Sequence, residues 1–219
     1  MGYKFGKITA LVGHYGCGKT NLATNMALEL SNKGKVAVVD IDTVNPYFRT
    51  ADFKEEFENR GIRLVTTEYA NTNLDIPVLN FDIEGIADSV DYTIIDVGGG
   101  IDGAAAIGRY REILNERNAQ LFFVFNMYRG LSVQETAQAL LEIENACKMK
   151  CTALVNNSNL GSITESYDIF KTEAFEKELA NVSGLPVAMR CLPKQASPQR
   201  ANDILVERTV RLPWEKLYL

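Results

Sequence analysis

Gly13-His14-Tyr15-Gly16-Cys17-Gly18-Lys19-Thr20 fits a pattern of one glycine, four free positions and then Gly-Lys-Thr. It stands between an apolar run at 8–12 and a helix-like run at 21–30. Strand, glycine-rich loop and helix in that order make an anion cradle. The glycines let backbone N–H groups curl round a phosphate, the helix N-terminus adds partial positive charge, and Lys19 is long enough to reach β- and γ-phosphates. The Thr20 hydroxyl suits Mg²⁺. The expected nucleotide contacts are therefore the whole loop and Asn21 just beyond it, with Lys19 also the charge that catalysis uses.

Two acidic segments follow later apolar runs. In Asp40-Ile41-Asp42 the spacing sends both carboxylates the same way from an extended backbone. Asp40 is read as a water-bridged metal partner and Asp42 as the group that orients an attacking water; a pair of solvated loop acids is the alternative. In Asp96-Val97-Gly98-Gly99-Gly100 a strand delivers one carboxylate and then glycines whose N–H groups can approach a γ-phosphate closely. Asp96 is the expected acidic partner of Mg²⁺. Gly98 and Gly99 are the expected γ-phosphate sensors, ordered by that phosphate and released on its loss. The alternative is a glycine-rich turn with no ligand.

The base side falls to Asn126, to Asn156-Asn157-Ser158-Asn159 and to Leu192-Pro193-Lys194-Gln195. An amide both donates and accepts, which suits the N6/N7 edge of adenine, and the Asn-Lys-x-Asp pattern of guanine sites is absent from the sequence. Asn157, Pro193 and Gln195 are the expected base contacts, and ATP with Mg²⁺ the expected ligand. Asparagines are also ordinary turn residues.

These groups need a frame that brings strand ends together. Apolar runs at 8–12, 35–40, 62–66, 92–97, 120–126, 151–156 and 185–190 alternate with amphipathic stretches, giving about seven expected strands. Val36-Ala37-Val38-Val39 and Leu121-Phe122-Phe123-Val124-Phe125 are apolar throughout, as strands covered on both faces are. The expected fold is α/β, a three-layer, doubly wound, mainly parallel sheet of the P-loop NTPase kind, with ligands beyond the carboxyl ends of the strands. Ser132 and Glu135 form a possible capping box, and Gly34 and Gly184 sit where helices should stop. Residues 69–77 form the chief irregular segment.

The chain has 219 residues, 46% of them apolar, and no linker or charge block divides it, so a single domain over 1–219 is expected. A formal net charge of -5 argues against a broad nucleic-acid surface. With no apolar leader or membrane-length run in the sequence, a cytoplasmic protein without a membrane partner is expected. The cysteines are expected to be reduced. Cys147 and Cys151 have a spacing open to metal, but fall where a helix ends and a buried strand begins.

The loop 13–20, Val38-Val39-Asp40-Ile41-Asp42, Ile95-Asp96-Val97-Gly98-Gly99 and Leu154-Val155-Asn156-Asn157-Ser158 together resemble the MinD/ParA/nitrogenase-iron-protein group of P-loop ATPases, the SIMIBI class, over nearly the whole chain. Residues 192–201 look like the adenine-side loop of the nitrogenase iron protein, and Asn157-Ser158 like its adenine-contacting asparagine. The resemblance implies slow, switch-like ATP hydrolysis, an ATP-dependent homodimer and a protein partner that reads the state. Three positions depart from it: the group's extra loop lysine falls at His14, the cysteine after the iron protein's second switch falls near Gly103, and residues 213–219 match MinD's amphipathic tail poorly. Asn45-Pro46-Tyr47-Phe48-Arg49 has no counterpart; its aromatics suit a nucleotide cover, a subunit contact or packing. A small-molecule kinase or ligase resembling the dethiobiotin and cobyric-acid synthases, and a metal-delivery ATPase, are the alternatives.

Overall fold

The computed structural model describes residues 4–42, 53–66 and 81–209. The segments 45–49 and 213–219 and the irregular stretch 69–77 singled out above lie outside the described residues.

The strands are β1 (Ile8–Gly13), β2 (Val36–Asp40), β3 (Arg63–Val65), β4 (Tyr92–Asp96), β5 (Gln120–Phe125), β6 (Ala153–Asn156), β7 (Val187–Pro193) and β8 (Asp203–Val206). They form one eight-stranded sheet in the order β3-β2-β4-β1-β5-β6-β7-β8. Every pairing is parallel. The helices are α1 (Lys19–Leu30), α2 (Lys54–Asn59), α3 (Ile83–Ser89), α4 (Gly100–Gly108), α5 (Arg111–Glu116), α6 (Val133–Cys147), α7 (Ser166–Phe170) and α8 (Glu173–Ser183).

Strand side chains alternate between two cores, which is why the central runs are apolar at every position. Ile8, Ala10 and Val12 of β1, with Leu121, Phe123 and Phe125 of β5, face α3, α4, α5, α6 and α8. Leu11, Phe122 and Val124 face the other way, against Leu22 and Met26 of α1 and Phe57 of α2. Each of these buried Leu, Ile, Val, Phe and Met side chains contributes about 1.5–3 kcal/mol. The result is the three-layer arrangement expected. The Ser132–Glu135 capping box closes α6, with Glu135 N–H donating to Ser132 Oγ at 3.2 Å and Ser132 N–H to Glu135 Oε2 at 2.8 Å. Gly184 ends α8 at φ 71, but α1 stops at Leu30, before Gly34.

β6 begins at Ala153, leaving Cys151 just ahead of it, and two further differences from the expected elements bear on the site. β7 runs on to Pro193, so Leu192 and Pro193 belong to the strand and not to a loop behind it. An eighth strand adds to the seven expected: Asp203-Ile204-Leu205-Val206 is short, opens on an acid and follows a crossover, 194–202, that carries no helix. A buried ion pair anchors it. Arg190 donates from Nε to Asp203 Oδ1 and from Nη2 to Oδ2, both at 2.8 Å, and Gln199 and Arg200 N–H donate to Oδ2 at 2.7 and 2.8 Å. Burial alone would raise the Asp203 pKa, yet these bonds hold it below the ordinary aspartate value.

Candidate functional site

β1 is flanked by β4 and β5, and the chain winds outward from it in both directions, so a crevice opens at its carboxyl end. The loop 13–20 emerges there and runs into α1. A cavity of about 810 Å³ lies beside it. Tyr15, Gly16, Gly18, Lys19, Thr20, Asn21, Asp42, Gly99, Asn157, Pro193 and Gln195 all line it, so most of the sequence-derived contacts meet at one place. Gly13, Cys17, Asp40, Asp96 and Gly98 are not in its wall, nor is His14.

Lys19 is nearly buried, and its ammonium donates to the carbonyls of Gly13 (3.3 Å) and His14 (3.2 Å). The loop thus closes round its own cation. Cys17 packs behind it at 1% exposure; burial pushes its thiol pKa up, with the Lys19 and Arg129 charges acting in the opposite direction. His14 is exposed, its Nδ1 lying 3.2 Å from the Tyr15 carbonyl oxygen.

Asp40 and Asp96 are register partners on adjacent strands, and Leu11 of β1 pairs with Asp96 in turn. Both acids are buried just behind the loop, at 3% and 1% exposure. The Asp42 N–H donates to Asp40 Oδ1 at 3.0 Å, which leaves the Asp42 side chain on the cavity wall. The pair therefore divides, one acid behind the loop and one in the cavity. Thr20 lines the cavity while Asp40 and Asp96 lie at the buried strand ends behind the loop, and all three offer oxygen, the hard donor chemistry Mg²⁺ takes.

The turn after β4 touches the phosphate loop directly. A Cβ on Gly99 would lie 2.7 Å from Tyr15 Cα, and one on Gly98 3.0 Å from Asp42 Oδ1, so glycine is what allows the approach. A Cβ on Gly103 would meet the Gly98 carbonyl oxygen at 2.0 Å, so α4 packs closely on the turn at this point.

On the opposite side the asparagines separate. Asn157 donates from Nδ2 to the carbonyls of Cys17 (2.8 Å) and Gly18 (3.3 Å). Asn126 accepts from the N–H groups of Tyr128 (3.0 Å) and Asn159 (3.2 Å), while Asn156 donates to Thr172 Oγ1 (2.8 Å) and Glu176 Oε2 (2.9 Å). Asn126 and Asn156 thus fasten loops and do not face a base. The Asn21 amide bonds the Glu207 carbonyl and the Thr209 N–H, tying the chain beyond β8 to α1. Arg129 was missed in the sequence: it lines the cavity and lies against Gly16, but an exposed arginine in a turn carries no motif. Its one legible signal is its place, just past the end of a central strand.

Cys147 and Cys151 sit in the core against α6 and β6. Burial raises both pKa values, which opposes the thiolate form that binds metal. No helix among the described residues is long and apolar enough to cross a membrane.

No protein-family model matches the chain, and neither does any curated protein. Solved structures do match. Cell division protein FtsY from Thermotoga maritima aligns with a TM-score of 0.63 at 17% identity, over 91% of this chain and 67% of that one. FtsY from Mycoplasma mycoides aligns with a TM-score of 0.58 at 17% identity, over 93% of this chain and 64% of that one. FlhF complexed with GTP and Mg²⁺ gives 0.55 at 16% identity, over 90% and 69%. The chain thus spans about two thirds of the length of these neighbours. At these identities the likeness is one of fold: this chain has the α/β P-loop NTPase fold, similar to FtsY.

Proposed function

We propose that the chain is a nucleotide-dependent switch of the MinD/ParA kind, a single nucleotide-binding domain over 1–219 that binds ATP with Mg²⁺ and hydrolyses it slowly. The observation that carries this reading is the packing of Gly99 on Tyr15, with Asp42 beside Gly98, because it couples the post-β4 turn to the phosphate loop. A ligand that reshapes the loop must move that turn.

In this reading Lys19 exchanges its loop carbonyls for phosphate oxygens, and Gly13, His14, Tyr15, Gly16, Cys17 and Gly18 offer backbone N–H groups. Thr20, Asp96 and Asp40 would hold Mg²⁺, which would neutralise phosphate charge there. Asp42 orients the attacking water, and Gly98 and Gly99 donate to the γ-phosphate. Asn21 contributes at the start of α1.

The ATP reading places Asn157 at the base. Its two donor bonds go to carbonyls that can only accept, so Nδ2 must face the loop and Oδ1 is the group left for a base. An acceptor there can take the N6 amino group of adenine, Pro193 and Gln195 line the same cavity, and the Asn-Lys-x-Asp pattern of guanine sites is absent from the sequence. GTP is the second reading, favoured by the FlhF neighbour solved with GTP and Mg²⁺.

The switch acts through an ATP-dependent homodimer and a protein partner, without nucleic acid or membrane, in the cytoplasm. Exposed apolar residues in or beside the cavity-lining segments support that surface: Tyr15, Ile101, Leu160 and Ile163. Size-exclusion chromatography with light scattering tests it. Monomer with ADP and dimer with a nonhydrolysable ATP analogue is the expected result. Monomer in both states, with turnover that depends on a small carboxylate or amine, would replace the switch by a kinase or ligase.

A further inference from the structure

We infer that Arg129 is a second cation for the phosphates of the bound nucleotide, supplied by the same chain from the turn behind β5. The inference rests on the nucleotide reading above. Arg129 ends a single 3₁₀ turn, Met127–Arg129, closed by Gly130 at φ 81. The turn is pinned from three sides. Tyr128 N–H donates to Asn126 Oδ1 at 3.0 Å, Met127 N–H to Ser158 Oγ at 3.0 Å, and the Tyr128 hydroxyl to the Asp168 carbonyl at 2.7 Å. The arginine therefore starts from a fixed platform.

Its guanidinium lies across Gly16. A Cβ on Gly16 would stand 3.1 Å from Arg129 Cζ, 3.1 Å from Nη2 and 3.4 Å from Nε, so a side chain at position 16 would push the group away. Arg129 shares the cavity wall with Lys19 and is itself exposed. Arg117 is held by Glu84 and Asp88, and Arg200 by Glu173 and Glu176. Among the described residues no acid pairs with Arg129. An arginine fork is planar, permanently charged and shaped for two phosphate oxygens at once. It stands beside backbone N–H groups that would face a phosphate chain, in a loop where position 14 is a histidine.

The geometry makes Arg129 a binding cation for the polyphosphate, reached without a second subunit. Calorimetric titrations of the full chain with Mg-ADP and with a nonhydrolysable Mg-ATP analogue test this in wild type, Arg129→Ala and Arg129→Lys. The expected result is that Arg129→Ala binds both about tenfold more weakly or worse, that Arg129→Lys recovers part of the loss, and that the deficit shrinks as salt is raised. Thermal melts of the free proteins should coincide, since the side chain is exposed. Unchanged affinity in a folded Arg129→Ala variant overturns the inference, as does a deficit that is the same at low and high salt, which marks packing in place of charge. Wild-type protein that takes up neither nucleotide would sink the site reading itself, a separate failure.

Discussion

Asn157 donates to the backbone carbonyl of Cys17 at 2.8 Å, across 140 positions of sequence. One buried amide thereby joins the end of β6, on the base side, to the phosphate loop, and no rearrangement of the loop leaves the base side untouched. Removing the amide should cost about 1–3 kcal/mol, the penalty for leaving a buried carbonyl unsatisfied. Asn157→Ala is therefore expected to lower the urea midpoint and to weaken nucleotide binding together. A variant that loses affinity with full stability would show that Asn157 serves the base alone.

Gly99→Ala places a methyl group where Tyr15 Cα lies 2.7 Å away. Backbone on both sides must shift, and misplacing a catalytic turn by about 1 Å costs on the order of 100-fold in turnover. Single-turnover hydrolysis is expected to fall by that order, and affinity for the diphosphate, which the displaced loop also binds, to fall by less. Equal turnover in the variant would remove the turn from the switch.

The legible part of this chain was its local chemistry. Glycines, lysine and threonine in the loop, Asp96 before three glycines, and the Ser132–Glu135 cap each declare themselves over a few residues, and the apolar runs place the strands between them. What the sequence hid is tertiary. Asn126, Asn156 and Asn157 look alike in the chain, yet only Asn157 lines the cavity, because the choice depends on which amides Tyr128, Asn159, Thr172 and Glu176 claim. β8 escaped notice because its anchor is an aspartate, readable as a core residue only once Arg190 stands beside it. Arg129 gained meaning only when its turn was seen to lie over Gly16.

The Arg190–Asp203 pair sets a pH dependence. The folded pKa of Asp203 is depressed, against the pull of burial, by Arg190 and by the Gln199 and Arg200 N–H groups. An unfolded aspartate titrates near 3.9, so the stability from this group is fully present above about pH 4 and is lost as pH falls through the lower folded value. Asp203→Ala leaves Arg190 buried without its partner and is expected to cost about 3–5 kcal/mol at neutral pH. Urea melts at neutral and acid pH check both points: the gap between wild type and variant should close in acid, and a gap that widens there would contradict the account. Replacing the pair together, as Arg190→Met with Asp203→Leu, should recover much of the loss.

Burial raises the thiol pKa of Cys17, Cys147, Cys151 and Cys191. Iodoacetamide, which attacks thiolate, should label the native protein slowly and the urea-unfolded protein quickly at all four. Rapid native labelling of Cys147 or Cys151, or metal retained in proportion to them, would revive the metal-delivery reading.

The central claim is that the loop ending in Lys19 grips a nucleotide triphosphate, and a calorimetric titration with Mg-ATP, repeated with Mg-GTP, tests it most directly. The account predicts one site in the wild-type chain, ATP bound more tightly than GTP, and Lys19→Ala weakened by about a hundredfold, as expected for losing a charged contact to phosphate. Folded wild-type protein that takes up neither nucleotide, or a Lys19→Ala variant that binds as wild type does, would contradict it.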